Sequence, residues 1–257
     1  MKKAIIIASF GCSILDSREK YIETIESAIK NNYKNIDCFR VFTSEIIRKK
    51  MKREENIEID NMDSCLKKLK ANGYTHVYVA ATHIIPGFEY DKILKAANEY
   101  QNDFEEIRIS RTLLDNKMGD KEKSAVKSYI KTDLKNDEAV VLVGHGTEHI
   151  SHKYYKQFEE LLKKDVNNSF IINIEGNTYK YEVIKELKER SINKIYLYPF
   201  LIVAGDHALN DITSNEDDSI KSYFIKNGFR VEAFINGLGA NDLIKDLFVD
   251  RLRDVYN

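Results

Sequence analysis

Net charge is what this sequence most plainly lacks: 40 Lys and Arg stand against 41 Asp and Glu in 257 residues, a formal charge of −1. A protein that grips nucleic acid through its phosphates needs a basic surplus or a local basic run. The one basic stretch, Arg48-Lys49-Lys50-Met51-Lys52-Arg53, runs straight into Glu54-Glu55 and reads as a solvated helix face. Nucleic acid is therefore not expected as a partner. Long hydrophobic runs are missing too. The longest, around Leu197 to Gly205, is far short of the ~20 residues of a spanning helix, so no membrane association is expected.

Cysteine is scarce. The three present, Cys12, Cys38 and Cys65, are odd in number and show no CxxC spacing, which excludes a disulfide framework or zinc knuckle and points to a reducing cytoplasm. Lys2-Lys3 followed by an apolar stretch and Cys12 resembles the start of an exported lipoprotein, but the apolar run stops by Phe10, where a secretory segment needs ~7–15 apolar residues and a small-residue cleavage site. It reads better as a first core strand. Three nucleotide and nucleophile signatures are also absent. There is no GxxxxGK[ST], no strand-bound GxGxxG and no GxSxG elbow.

What is present is an alternation. Short β-branched runs at Ala4–Ala8, Asp37–Phe42, His76–Ala81, Ile107–Ser110, Ala139–Val143, Phe170–Ile174, Lys194–Tyr198 and Arg230–Ile235 are separated by amphipathic segments. Among the latter, Ile22, Ile25 and Ile29 share one face, as do Leu66 and Leu69, Val183, Ile184 and Leu187, and Tyr154, Phe158, Leu161 and Leu162. This is the pattern of an α/β protein whose parallel strands are covered on both faces. The order of signals also repeats. Phe10-Gly11-Cys12 echoes His145-Gly146-Thr147, and Pro86-Gly87-Phe88-Glu89 echoes Ala204-Gly205-Asp206-His207, with unequal spacing between the two pairs. The expectation is two similar Rossmann-like lobes, residues 1–125 and 126–257, joined through the polar stretch Lys117–Asp137, with the active site in a cleft between them.

Open α/β sheets bind ligands at the carboxyl ends of their strands. In the second half three successive strands end on Gly144-His145-Gly146, on Glu175-Gly176 and on Gly205-Asp206-His207, which should bring His145, Glu175 and His207 to one rim. Two imidazoles and a carboxylate suit a divalent first-row transition ion and leave coordination positions open. The set does not separate cobalt, nickel, iron and zinc. The first half's rim carries Ser9, Phe10, Gly11, Cys12 and Ser13, then Thr43 and Ser44, then His83, Gly87 and Glu89; it is small, hydroxylated and mostly uncharged, suited to a large ligand. Glu89 is its obvious acid-base group and equally a favourable helix-start carboxylate. His149 and His152 read as surface groups, His76 as structural, and Cys12 as a buried small thiol.

Met1-Lys2-Lys3-Ala4 through Ser9-Phe10-Gly11, Phe39-Arg40 through Phe42-Thr43-Ser44, Gly144-His145-Gly146, Leu201 through Asp211 and Gly237-Leu238-Gly239 together resemble the anaerobic-type sirohydrochlorin cobaltochelatases, class II chelatases of cobalamin biosynthesis. The most specific piece is Val203-Ala204-Gly205-Asp206-His207-Ala208-Leu209-Asn210-Asp211. The resemblance spans essentially the whole chain. It implies the two-lobed fold of the ferrochelatase superfamily and ATP-independent insertion of Co²⁺ into sirohydrochlorin. It places the metal ligands on His145, Glu175 and His207, an active-site acid on Glu89, catalytic roles on His145 and His207, and tetrapyrrole contacts on Ser9, Phe10, Gly11 and Cys12. Cys12 stands where the pattern has threonine, and Pro86 where it has a non-proline residue. Arg40, Arg48 and Lys49 are candidate partners for the substrate's carboxylates. Insertion of Fe²⁺ or Ni²⁺ on the same fold is the runner-up expectation, and a non-catalytic metal or tetrapyrrole carrier would use the same ligands without turnover. Assembly into a homo-oligomer stays open.

Overall fold

The eight apolar runs form eight strands in two separate parallel sheets. The computed structural model describes residues 1–257 except Asp206 and the side chain of His207. The chain divides into two compact units, Met1–Asp115 with Lys245–Asn257, and Asn116–Ile244.

The first unit holds β1 (Lys3–Ser9), β2 (Asp37–Phe42), β3 (His76–Ala81) and β4 (Glu106–Ile109) in the order β2-β1-β3-β4. After β1 a short α1 (Leu15–Ser17) runs through a π-helical turn, Arg18–Glu23, into α2 (Thr24–Asn32); α3 (Glu45–Glu55), α4 (Met62–Ala71) and α5 (Phe88–Glu99) follow. Ile5, Ile6 and Ile7 are each at most 1% exposed although successive side chains point to opposite faces, so both faces of β1 are covered. Ala4, Ile6 and Ala8 pack in one cluster with Leu66 and Leu69 of α4 and Ile93 of α5. Asn61 caps α4 by accepting from the Ser64 backbone while Ser64 returns the bond, a reciprocal capping box.

The second unit repeats the plan. It contains α6 (Asp120–Lys127), β5 (Glu138–Thr147), α7 (Lys153–Lys163), β6 (Ser169–Gly176), α8 (Lys180–Glu189), β7 (Lys194–Pro199), a π-helical segment over 207–212, α9 (Ile220–Lys226) and β8 (Arg230–Ala233), with sheet order β6-β5-β7-β8. Val183, Ile184 and Leu187 of α8 and Phe224 of α9 join Val141, Ile172 and Leu197 in its core. On α7 the buried apolar residues are Tyr155, Phe158 and Leu162, beside buried Glu159, with Tyr154 and Leu161 only half-buried, so the expected stripe is rotated by one position at its start.

The final helix, α10 (Asp242–Tyr256), differs from the expected division at residue 125, since all but its first turn belongs to the first unit. Its buried Arg251 donates to the Leu113 carbonyl at 2.7 Å, Arg108 donates to the carbonyls of Val255 and Asn257, and the Tyr256 ring packs on Tyr33 and Tyr78 with centroids 4.9 and 4.7 Å away. An amphipathic face announces burial, not which sheet receives it.

The sequence also ends β5 too early. The ladder with β6 continues through Gly144↔Asn173, Gly146↔Glu175 and Thr147↔Gly176, whereas pairing with β7 stops at Val143↔Pro199, its last bond running from the Phe200 N–H to the Val143 carbonyl at 2.7 Å. The glycines do not turn the chain away from the sheet. They extend β5 and β6 as a two-stranded ribbon beyond it.

Candidate functional site

His145 and Glu175 sit on that ribbon. The imidazole Nδ1 lies 3.2 Å from the Gly146 carbonyl oxygen and 3.7 Å from Glu175 Oε2. A carbonyl only accepts, so Nδ1 carries the proton and Nε2 presents a lone pair, the form of histidine that binds metals. Glu175 thus brings a carboxylate beside the imidazole. Side-chain exposures of 38% for His145 and 59% for Glu175 leave both within reach of a solute.

Two glycines make this arrangement sterically feasible, for different reasons. Gly146 adopts φ +85°, and a Cβ there would run into the Glu175 carbonyl oxygen. Gly144 is not in the left-handed region, but a Cβ there would come 2.7 Å from both Asn173 Oδ1 and Tyr155 Cε1. His207 opens the π-helical segment after β7. Its side chain lies outside the described residues, and among those residues no cluster of three or more His, Cys, Asp or Glu is assembled that could hold a metal ion. The structure therefore brings together two of the three expected ligands.

The first unit shows the same strand-end geometry with other chemistry. Ser9 pairs with Phe42 as Gly144 pairs with Asn173, which makes Phe10 and Gly11 the counterparts of His145 and Gly146; Gly11 has φ +106°. Ser9 is buried with its Oγ unpartnered, Phe10 is 48% exposed, and Cys12 is buried with its thiol directed at the Ile14 carbonyl. Large apolar side chains are exposed along this carboxyl edge: Phe10 and Leu15 follow β1, Ile46 follows β2 and Phe88 follows β3. Glu89 lies in the first turn of α5, one oxygen 2.6 Å from Lys92 Nζ and the other buried without a partner.

A family model described as cobalt chelatase (CbiK) matches residues 3–257. The chain belongs to this cobalt chelatase family. It is 31% identical over 257 residues to the sirohydrochlorin cobaltochelatase of Salmonella typhimurium, covering 100% of this chain and 97% of that one. Sirohydrochlorin cobaltochelatase CbiKC of Nitratidesulfovibrio vulgaris is 28% identical over 255 residues, 98% of this chain and 89% of that protein. Among solved structures, SirB from Bacillus subtilis with Fe³⁺ shares the fold, with a TM-score of 0.66 at 17% identity over 99% of this chain and 95% of that one.

Within this cobalt chelatase the expected cations separate by their partners. Arg40 is bound to Glu26 at 2.5 and 2.7 Å and to Glu23 at 2.8 Å, and Glu26 is itself buried, so Arg40 is a structural ion-pair residue. Lys49 pairs with Glu45 on an exposed helix face. Arg48 differs, since its Nε is buried without a partner. Only the Lys49–Glu45 pair, four residues apart on one helix, is readable from sequence; the acidic partners of Arg40 come from other elements.

His83, which the sequence places on the rim without a role, is buried at the exit of β3, with Nε2 3.2 Å from Thr43 Oγ1 and Nδ1 unpartnered. Burial, against a partial counter-effect from Glu89, lowers its pKa to about 4. The unfolded chain therefore takes up a proton between pH 6.5 and 4 that the folded chalice of side chains around His83 refuses, and stability falls as pH drops through that window. The full effect is about 3 kcal/mol. In urea unfolding at pH 7 and pH 4, His83→Gln is expected to remove that much of the acid sensitivity; an unchanged pH dependence would contradict the buried neutral state.

Proposed function

We propose that this chelatase inserts Co²⁺ into sirohydrochlorin, giving cobalt-sirohydrochlorin in anaerobic cobalamin biosynthesis. The reading is carried by the oriented His145–Glu175 pair on the β5–β6 ribbon of a chain that belongs to the cobalt chelatase family throughout. Both cobaltochelatase relatives are matched over nearly their whole length, which supports the same substrate here.

Metal insertion exchanges two pyrrole protons for one divalent ion. His145 and His207, with Glu175, hold the incoming ion, and neutral imidazole allows ligand exchange near neutral pH. Glu89 accepts one pyrrole proton, its buried oxygen being the acceptor left without a partner, and a histidine released as the metal passes to the ring accepts the other. Phe10, Leu15, Ile46 and Phe88 offer apolar contact to the macrocycle, and Ser9, Gly11 and Cys12 shape the backbone it approaches. Nothing in this scheme needs nucleotide hydrolysis, in keeping with the lack of a phosphate loop in the sequence. A cytoplasmic setting accords with three cysteines none of which is in a disulfide.

The absorption spectrum of sirohydrochlorin tests this directly. Mixed with enzyme and Co²⁺ without ATP, it is expected to convert to the metallated spectrum well above the uncatalysed rate, and faster than with Fe²⁺ or Ni²⁺ in parallel. Equilibrium binding without catalysed conversion would make the protein a carrier. A faster reaction with Fe²⁺ or Ni²⁺ would reassign the metal.

A further inference from the structure

His152, three residues beyond His149, faces inward and not toward solvent. Its Nδ1 is 2.9 Å from the Thr147 carbonyl, which can only accept, so Nδ1 carries the proton and Nε2 is an acceptor. That acceptor meets Asn173 Nδ2 at 3.5 Å, and the same amide group reaches the Asn177 carbonyl at 3.5 Å. Two acceptors around one amide nitrogen fix which end of the Asn173 side chain is NH₂. The Asn173 backbone N–H also donates to the Thr178 carbonyl at 3.2 Å, closing the 173–178 segment that carries Glu175.

Asn173 is fully buried, with Oδ1 unpartnered, a placement that a generic core position would not favour. It lies opposite Gly144, the residue whose missing side chain makes room for it. Thr147 is two residues past His145 on β5, and Asn173 two residues before Glu175 on β6. The hydrogen-bonded chain Thr147–His152–Asn173 therefore ties together the two strands that carry the two facing side chains. The ring of His152 is held further by Tyr155 and Tyr179, with centroids 5.7 and 5.6 Å away, and Tyr155 is hydrogen-bonded to the Gly146 backbone.

We propose that His152 and Asn173 are positioning residues that clasp the β5 and β6 extensions and set the separation of His145 from Glu175. The inference rests on reading His145 and Glu175 as the Co²⁺-holding pair. Outer partners of metal ligands typically contribute 10–100-fold to affinity or activity, and the clasp acts on both ligands at once.

The test is steady-state insertion kinetics of Asn173→Ala, His152→Phe and His152→Gln, with Co²⁺ and sirohydrochlorin varied separately, beside His145→Ala. Asn173→Ala and His152→Phe are expected to raise the KM for Co²⁺ about 10-fold or more with the sirohydrochlorin KM unchanged. His152→Gln, which keeps one donor and one acceptor, recovers much of the loss. A merely structural role would shift both KM values together, or lower the active fraction in step with thermal stability, without rescue by Gln. If His145→Ala abolishes insertion while Asn173→Ala and His152→Phe leave the Co²⁺ KM within twofold of the unsubstituted protein, the clasp is overturned and the metal site stands. If His145→Ala itself inserts cobalt normally, the underlying site reading fails first. Should Asn173→Ala not fold, the half-buried His152 variants decide the matter alone.

Discussion

His145→Ala is expected to abolish cobalt insertion while the protein stays folded. The side chain is partly exposed and stands on a ribbon that overhangs its sheet, so truncation removes little packing. Substitutions of that kind usually fall within about 0.5 kcal/mol. The chemical effect is far larger. An imidazole whose Nδ1 donates to the Gly146 carbonyl presents Nε2 in a fixed direction, and alanine leaves no metal-binding nitrogen there. A decrease of at least about 100-fold is expected, beyond what loss of an orienting partner alone produces. Insertion followed by absorption, with thermal unfolding as the control, measures both. A near-normal rate in a folded variant would remove His145 from the mechanism.

Gly146→Ala is expected to be as damaging to activity, and also to stability, by a route that Gly73→Ala isolates. Both glycines have positive φ, +85° and +72°. At Gly73 a Cβ would meet nothing within 4 Å, so alanine there carries only the cost of a left-handed backbone, about 1–2 kcal/mol. At Gly146 the Cβ would strike the main-chain oxygen of Glu175, which cannot rotate aside as a side chain could. The β5 and β6 extensions must separate, carrying His145 away from Glu175. Thermal unfolding should show a larger fall in Tm for Gly146→Ala than for Gly73→Ala. Insertion should drop by at least about 100-fold, the scale on which ångström misplacement acts. Equal effects of the two substitutions would mean that the collision relaxes without consequence.

Much of this architecture was legible from residue pattern alone because parallel strands buried on both faces leave continuous apolar runs. All eight runs became strands, and the echo between Gly11 and Gly146 reappears as two sheets with one topology and two positive-φ glycines at equivalent positions. Reading stopped where the deciding contact came from elsewhere in the chain. Arg40 looks like any cation until Glu23 and Glu26 arrive beside it from the preceding helical segments. His152 looks like a helix-start surface group until Thr147 and Asn173 engage both ring nitrogens. Nothing in residues 143–147 says that β7 stops pairing with them while β6 continues.

The return of the last helix to the first unit reverses the order in which the halves can mature. During synthesis the segment 116–244 leaves the ribosome as one uninterrupted piece and has everything its sheet and covering helices need. The unit that holds residues 1–115 must wait for residues 245–257, with the Leu113 carbonyl lacking Arg251 and the Tyr33 and Tyr78 rings lacking Tyr256 until that later segment has been made. The half made first is thus the half finished last. The nascent first unit is where chaperones and proteases would find unsealed apolar surface.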